Sequence, residues 1–145
     1  MSAMIPYAIV MIDPKGRVAM TRDMELIRKI ILEIQARKDA KFSSVEIPNY
    51  DGATVARHLE LMLDAALIEG QKLDGHDVPF PFVVVKDLTW AGHDFAAALA
   101  NENVWGRIKK TFSPADLAAM PLGVLKELGT SLLMQWAKGQ LGLSS

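Results

Sequence analysis

Cysteine is absent from the 145-residue chain. This excludes disulfide bonds, thiol catalysis and cysteine-based metal sites. Long hydrophobic runs are missing as well, since no stretch reaches the roughly 18 uninterrupted apolar residues that a membrane-spanning helix needs. The N-terminus has no basic region ahead of its apolar patch and no small-residue cleavage site, so it does not have the pattern of a secretion signal. We therefore expect a cytoplasmic protein without membrane contact.

A basic surface is also missing. The formal net charge is −1, and residues 68–100 carry two basic and five acidic side chains. Proteins that bind nucleic-acid phosphates without regard to sequence present a stripe of lysine and arginine. The charge distribution therefore counts against strong nonspecific nucleic-acid binding.

What the chain does contain is helical periodicity, and half of its residues are hydrophobic, which is enough for one core. The pattern predicts a first helix over residues 21–38, with Thr21 as its N-cap. Asp51 is predicted to cap a second helix over residues 52–66. Residues 45–47 are predicted to be extended, because Pro48 follows them and little room is left for another helix.

A helix, a hairpin and a third helix are predicted in succession. Residues 67–73 and 82–85 have strand character, and residues 74–77 have the composition of a hairpin turn. Thr89 is then predicted to cap a helix that reaches about residue 100 and buries Trp90, Phe95 and Leu99. A shorter helix over residues 104–112 and a last helix from Pro121 complete the pattern. The helix–hairpin–helix order is typical of the second half of a winged-helix domain.

Three segments resemble a family of bacterial and phage proteins, the domain-of-unknown-function family 2513. They are residues 20–30 (MTRDMELIRKI), residues 58–68 (HLELMLDAALI) and residues 88–95 (LTWAGHDF) with the following Val104 and Trp105. The likeness covers about residues 20–136. It implies a winged-helix-like fold and no assigned activity, so it transfers no catalytic or binding residue.

The predicted fold class is α+β, a mainly helical winged-helix-like domain with a β-hairpin wing and a C-terminal helical extension. Residues 1–19 are predicted to be an N-terminal extension, either a short hairpin or disordered. Residues 20–112 form the winged-helix-like domain, and residues 113–145 form the helical extension, which is a possible dimerisation element.

The first functional hypothesis is a regulatory protein that contacts double-stranded DNA, like a transcription regulator of phage or mobile elements. Such a protein presents the outward residues of one helix to base edges and basic wing residues to phosphates. The residues predicted to do so are Asn49, Thr54, Arg57 and His58 around the second helix, and Lys72 and Lys86 in the hairpin. The alternative is a protein-interaction module with the same fold and no nucleic-acid binding, because acidic side chains surround these cations.

Catalysis and metal binding are not expected. The candidates for a metal or acid–base site are His58, His76, His93 and Asp94, which lie on separate predicted elements without ligand spacing. No glycine-rich phosphate loop and no nucleophile with a base partner is visible. The chain is therefore predicted to be non-enzymatic, with no cofactor and no metal.

The last predicted helix is apolar on more than one face. A helix of this kind is covered on more than one side, which a second copy of a small domain can provide. The residues predicted to form a homodimer interface are Leu125, Leu128, Leu132 and Trp136. The alternative is that the helix covers the first helix and the N-terminal extension of its own chain.

Overall fold

The computed structural model describes residues 21–73 and 82–142, and the backbone of residues 11–12 and 18–19. It is a mixed α+β structure, as the sequence predicts, with a β-hairpin between two helices. No helix in these ranges is long and apolar enough to cross a membrane. The elements in chain order are β1 (Met11–Ile12), β2 (Val18–Ala19), α1 (Met24–Gln35), α2 (Gly52–Asp64), β3 (Ile68–Leu73), β4 (Phe82–Leu88), α3 (Trp90–Ala100), α4 (Glu102–Thr111), α5 (Pro114–Ala119) and α6 (Leu122–Gln140).

Strands β1 and β2 pair antiparallel, with Met11 opposite Ala19 and Ile12 opposite Val18. This corresponds to the hairpin alternative for the N-terminal extension. The rest of the segment before Thr21 lies outside the described residues, and so does the predicted turn at residues 74–77.

Helix α1 is the central element of the core. Its N-cap is Asp23 and not Thr21, because the Asp23 carboxylate accepts hydrogen bonds from the backbone N–H groups of Glu25 and Leu26. A carboxylate at this position also interacts favourably with the helix dipole. Half of the twelve residues of α1 are buried: Met24, Leu26, Ile27, Ile30, Ile31 and Ile34.

The segment between α1 and α2 is extended, as predicted. Ser43 forms an antiparallel bridge with Val85, in which each backbone N–H donates to the other residue's carbonyl at 3.0 and 2.8 Å. Arg37 fixes the same region, because its guanidinium donates to the carbonyls of Val85 and Ser44 at 2.7 and 2.8 Å. The side chains of residues 45 and 47 are buried. The segment between α1 and α2, residues 36–51, contains no further helix, so the helix that comes directly before the recognition helix in a helix-turn-helix is missing here.

The hairpin of β3 and β4 is antiparallel with one irregularity. The register passes from Glu69 opposite Asp87 to Gly70 opposite Val85, so Lys86 is the extra residue of a β-bulge. Before the bulge the buried side chains of β4 are those of Val83 and Val85, and after it the buried side chain is that of Leu88. As a result, β4 contributes buried residues on both sides of the bulge.

The turn that ends α2 holds the start of α3. Ala66 has the left-handed φ of 59°, and the backbone N–H of Leu67 donates to the carbonyl of Met62, which closes the end of α2. The Thr89 hydroxyl donates to the carbonyl of Ala66 at 2.6 Å and accepts from the N–H of Gly92 at 3.0 Å. Thr89 is thus the predicted N-cap of α3, and it also joins α3 to α2.

Trp90 is not buried, contrary to the prediction. Its side chain is 86% exposed, whereas Gly92, Phe95 and Leu99 of the same helix are buried. The close approach of Gly92 to the end of α2 determines which side of α3 faces inward, and residue 90 lies two positions earlier, on the opposite side of the helix. The predicted inward positions of Phe95 and Leu99 are confirmed.

The C-terminal helices are joined by capped corners. Asn101 ends α3 and caps α4, and Ser113 forms a capping box with Asp116 at the start of α5. Arg22 joins this part to the start of α1 by donating to the carbonyls of Leu117 and Met120. Helix α6 therefore begins near the start of α1.

Candidate binding surfaces

The predicted DNA-reading residues are distributed over three environments. Asn49 is exposed in the left-handed region with φ 73°, and Arg57 is exposed on α2. Thr54 is half-buried, and its backbone N–H donates to the Asp51 carboxylate at 2.7 Å, which confirms Asp51 as the N-cap. Lys86 is half-buried at the bulge of β4.

His58 is buried, with an exposed fraction of 1%. Its Nε2 accepts a hydrogen bond from the backbone N–H of Asp23 at 2.8 Å, which makes Nδ1 the protonated nitrogen that donates to the carbonyl of Thr54 at 2.9 Å. His58 therefore does not have the outward position that the DNA-contact hypothesis gave it. The signal was available in the spacing, because residues 55, 58, 59 and 62 form one helical stripe and all four are buried.

Burial also changes the acid–base behaviour of His58. Loss of solvent lowers the pKa of the imidazole, and the positive charges of Arg57 and Arg22 lower it further, while the hydrogen bond to Thr54 and the nearby Asp23 carboxylate act in the opposite direction. The net effect lowers the pKa and favours the neutral ring. This is the form in which Nε2 can accept the hydrogen bond that joins α2 to the start of α1.

Arg57 and Lys72 converge, but they do so on a carboxylate. Glu60 lies between them, with its oxygens 3.7 Å from Nη1 of Arg57 and 2.9 Å from Nζ of Lys72. Both cations are about half exposed, so each pair contributes only about 0–1 kcal/mol to stability. The electrostatic consequence matters more, because Glu60 reduces the positive potential where α2 meets the hairpin.

Acidic residues occur in the chain on both sides of Trp90. Asp94 is one turn further along α3 and is exposed, and the Asp87 carboxylate lies 3.6 Å from Nε2 of His93. In the register of the hairpin, Glu69 on β3 lies directly opposite Asp87 on β4. The start of α3 therefore combines an exposed indole ring, on a backbone fixed by Thr89, with carboxylates on α3 and on the adjoining hairpin.

A cleft of about 620 Å³ lies at the start of α1. Its charged side chains are largely engaged, since Lys109 pairs with Glu25 at 3.4 Å and Arg22 donates to backbone carbonyls. Within the described ranges, two buried donors of the lining have no acceptor, Nε of Arg22 and Nε1 of Trp105. The cleft has the size of a small-ligand site. Its apolar lining comes from Met24, Tyr50, Trp105, Phe112, Pro114, Ala115, Leu117 and Ala118.

Three of the four residues predicted to form a dimer interface pack against the domain itself. Leu125 is 2% exposed, and Leu128 and Leu132 are half-buried against the core. Leu125 is therefore covered by its own chain and does not have the exposed position that the prediction gave it. Trp136 is 37% exposed and lies further along the same side of α6.

No group of three or more histidine, cysteine or carboxylate side chains placed to hold a metal ion occurs in the part of the chain that the structure describes. Of the predicted acid–base candidates, His58 is a buried structural residue, and His93 and Asp94 are exposed on α3. His76 lies outside the described residues.

Comparisons with known proteins give a family and no function. The model of a family described as hypothetical protein (DUF2513) matches residues 21–117. An uncharacterised protein of Haemophilus influenzae is 28% identical over 118 residues, which cover 80% of this chain and 98% of that protein. No solved structure matches the chain significantly.

Proposed function

This chain belongs to the DUF2513 family of hypothetical proteins, and we propose that it is a protein-interaction module that binds a partner through the surface around Trp90. The observation that carries this proposal is the exposed fraction of the Trp90 side chain, 86%. In this proposal the role is non-catalytic, and the helix–hairpin–helix arrangement serves as a scaffold for the exposed ring.

Trp90 has the properties of a binding hot spot. Tryptophan is enriched among the residues that contribute most to protein–protein affinity. The backbone that holds Trp90 is fixed before binding, because Thr89 is hydrogen-bonded to Ala66 on one side and to Gly92 on the other. A fixed anchor loses little conformational entropy when the partner arrives.

The surroundings of Trp90 favour a partner with a basic surface. Asp87 comes three residues before Trp90 on β4, Asp94 lies one helical turn after it on α3, and Glu69 is opposite Asp87 in the register of the hairpin. An arginine of the partner could contact both the indole face and a carboxylate. The same carboxylates would repel the phosphates of a nucleic acid.

DNA-binding regulation is the second candidate. It is favoured by the helix–hairpin order and by the convergence of Arg57 and Lys72. It is disfavoured by the position of Glu60 between these cations and by the burial of His58. A regulatory role linked to phage or mobile elements would follow only if DNA binding were found.

The proposal is tested by placing a photoreactive amino acid at residue 94, crosslinking in cells, and purifying the protein that is captured. We expect Trp90→Ala to weaken binding of that purified protein about 30-fold or more. Phe42→Ala is the matched control, because Phe42 is also exposed, at 48%, and lies on a different segment. Equal binding by Trp90→Ala and wild type, or capture of DNA in place of protein, would contradict the proposal.

A further inference from the structure

Helix α6 has an exposed face opposite its buried one. Its buried residues are Leu125 and Gly129, and a Cβ atom at Gly129 would lie 3.1 Å from Cβ of Ala98 on α3. On the other side, six exposed positions follow one another at alternating spacings of three and four, which keeps them on one face of a helix. We call them the outer stripe: Val124, Glu127, Ser131, Met134, Lys138 and Leu141.

The outer stripe is unusually apolar for a face that its own domain leaves uncovered. Val124, Met134 and Leu141 are 50%, 54% and 75% exposed. Helices at a domain surface normally place polar residues on this side. The three apolar residues lie at the start, near the middle and at the end of the stripe. Exposed apolar side chains are therefore available for contact along the whole length of α6.

The charges of the outer stripe are self-complementary in one arrangement. The stripe carries one acid, Glu127, and one base, Lys138, and neither has an ion pair with another described residue. Two copies of α6 that run antiparallel can bring Glu127 of each copy opposite Lys138 of the other. Twofold symmetry makes this pair occur twice. A parallel arrangement would instead place like charges opposite each other.

The antiparallel alignment that places Glu127 opposite Lys138 also gives the other four residues of the outer stripe suitable partners. It places Val124 of one copy opposite Leu141 of the other, at both ends of the contact. It places Ser131 opposite Met134 beside the twofold axis, where a small residue faces a large one and the helices can approach closely. Charge pairing, apolar pairing and size therefore select the same register.

We infer that α6 binds α6 of a second copy of this chain, antiparallel, through the outer stripe. This contact is independent of the Trp90 surface, which lies on another helix. It uses a different face of α6 from the residues that the sequence pattern selected, of which Leu125, Leu128 and Leu132 pack against the core of their own domain.

Charge reversal tests the inference in solution. Sedimentation equilibrium of the wild type is expected to show a monomer–dimer equilibrium. Glu127→Lys and Lys138→Glu should each weaken the dimer about tenfold, because two attractive pairs become repulsive. The double variant should regain wild-type affinity, and an equimolar mixture of the two single variants should form a heterodimer. Thr130→Lys, an exposed change beside the stripe, is the control and should have a smaller effect.

Three results would overturn the inference. The first is a wild-type monomer at the highest soluble concentration. The second is a dimer whose affinity is unchanged by Glu127→Lys and by Lys138→Glu. The third is a double variant that stays as weak as the single ones, since restoration follows only if Glu127 and Lys138 face each other across the contact.

Orientation can be measured by crosslinking, because the chain has no cysteine of its own. Under mild oxidation, Val124→Cys mixed with Leu141→Cys should form a disulfide-linked heterodimer, since opposed residues lie within disulfide distance. Val124→Cys alone should stay unlinked, because its counterpart lies at the other end of α6. Efficient crosslinking of Val124→Cys with itself would indicate a parallel pair and contradict the inference.

Discussion

Replacing Gly92 with alanine is expected to lower the free energy of unfolding by about 3 kcal/mol or more. A Cβ atom at this position would lie 2.0 Å from the carbonyl oxygen of Leu67. Backbone cannot rotate away as a side chain can, and overpacking of a fixed site typically costs about 1–3 kcal/mol even where side chains adjust. Urea unfolding followed by circular dichroism measures the change.

The control for this variant is the reverse substitution at a neighbouring position. Ala66 has a left-handed backbone, which costs a residue with a Cβ atom about 1 kcal/mol and glycine almost nothing. Ala66→Gly is therefore expected to stabilise the protein slightly, while Gly92→Ala destabilises it strongly. If the two variants unfolded at the same urea concentration, the contact between α3 and the end of α2 would be wrong as described.

Acidification is expected to destabilise the protein through His58. Burial lowers the pKa of this imidazole in the folded state, so the unfolded chain binds a proton more readily. The contribution of neutral His58 is fully present above the ordinary histidine pKa of about 6.5. It is lost as the pH falls from there towards the lowered pKa, with a slope of up to about 1.4 kcal/mol per pH unit. Urea titrations between pH 8 and the acid limit of folding, at intervals of about half a unit, measure the slope.

His58→Leu separates this effect from general acid denaturation. The variant leaves the backbone N–H of Asp23 without its acceptor, which is expected to cost about 1–3 kcal/mol at neutral pH. It should also flatten the pH dependence just below pH 6.5. His93→Gln is the matched control, because His93 is exposed and its removal should leave that dependence in place. A wild-type stability that stays constant from neutral pH down through this range would contradict the neutral, buried role of His58.

Local signals in the sequence were sufficient for much of the fold. Asp51 and Thr89 begin helices where their short polar side chains can accept from the first turn, and both caps are present. Pro48 and the preceding residues predict the extended segment, because proline disfavours helix before it. The order of helix, hairpin and helix follows from such local preferences.

The direction in which side chains point was harder to predict from the sequence than the helices and strands, because it depends on tertiary contacts. Trp90 is apolar and was placed in the core, but the close contact of Gly92 with Leu67 turns it towards solvent. His58 is polar and was placed at the surface, but the N–H of Asp23 provides a buried partner. In both cases the type of side chain suggested the opposite of what the packing requires.

Helix α6 shows the same limit in another form. Apolar residues occur around much of its circumference, so periodicity alone does not identify the side that faces the domain. Leu125 was assigned to a dimer interface and is buried in its own chain. The burial of Leu125 and the contact between Gly129 and Ala98 show which face is covered, and Val124 and Met134 on the other side remain exposed.

The central claim is that this domain binds a protein through the surface around Trp90 and does not bind DNA through the cations of α2 and the hairpin. Titration of labelled duplex DNA by fluorescence anisotropy, from about 50 to 200 mM salt, tests it most directly. We predict no saturable binding at any salt concentration in this range, because Glu60 offsets part of the positive charge of Arg57 and Lys72. Saturable binding that weakens about 10³-fold or more over the range, and that Arg57→Glu abolishes, would contradict the account.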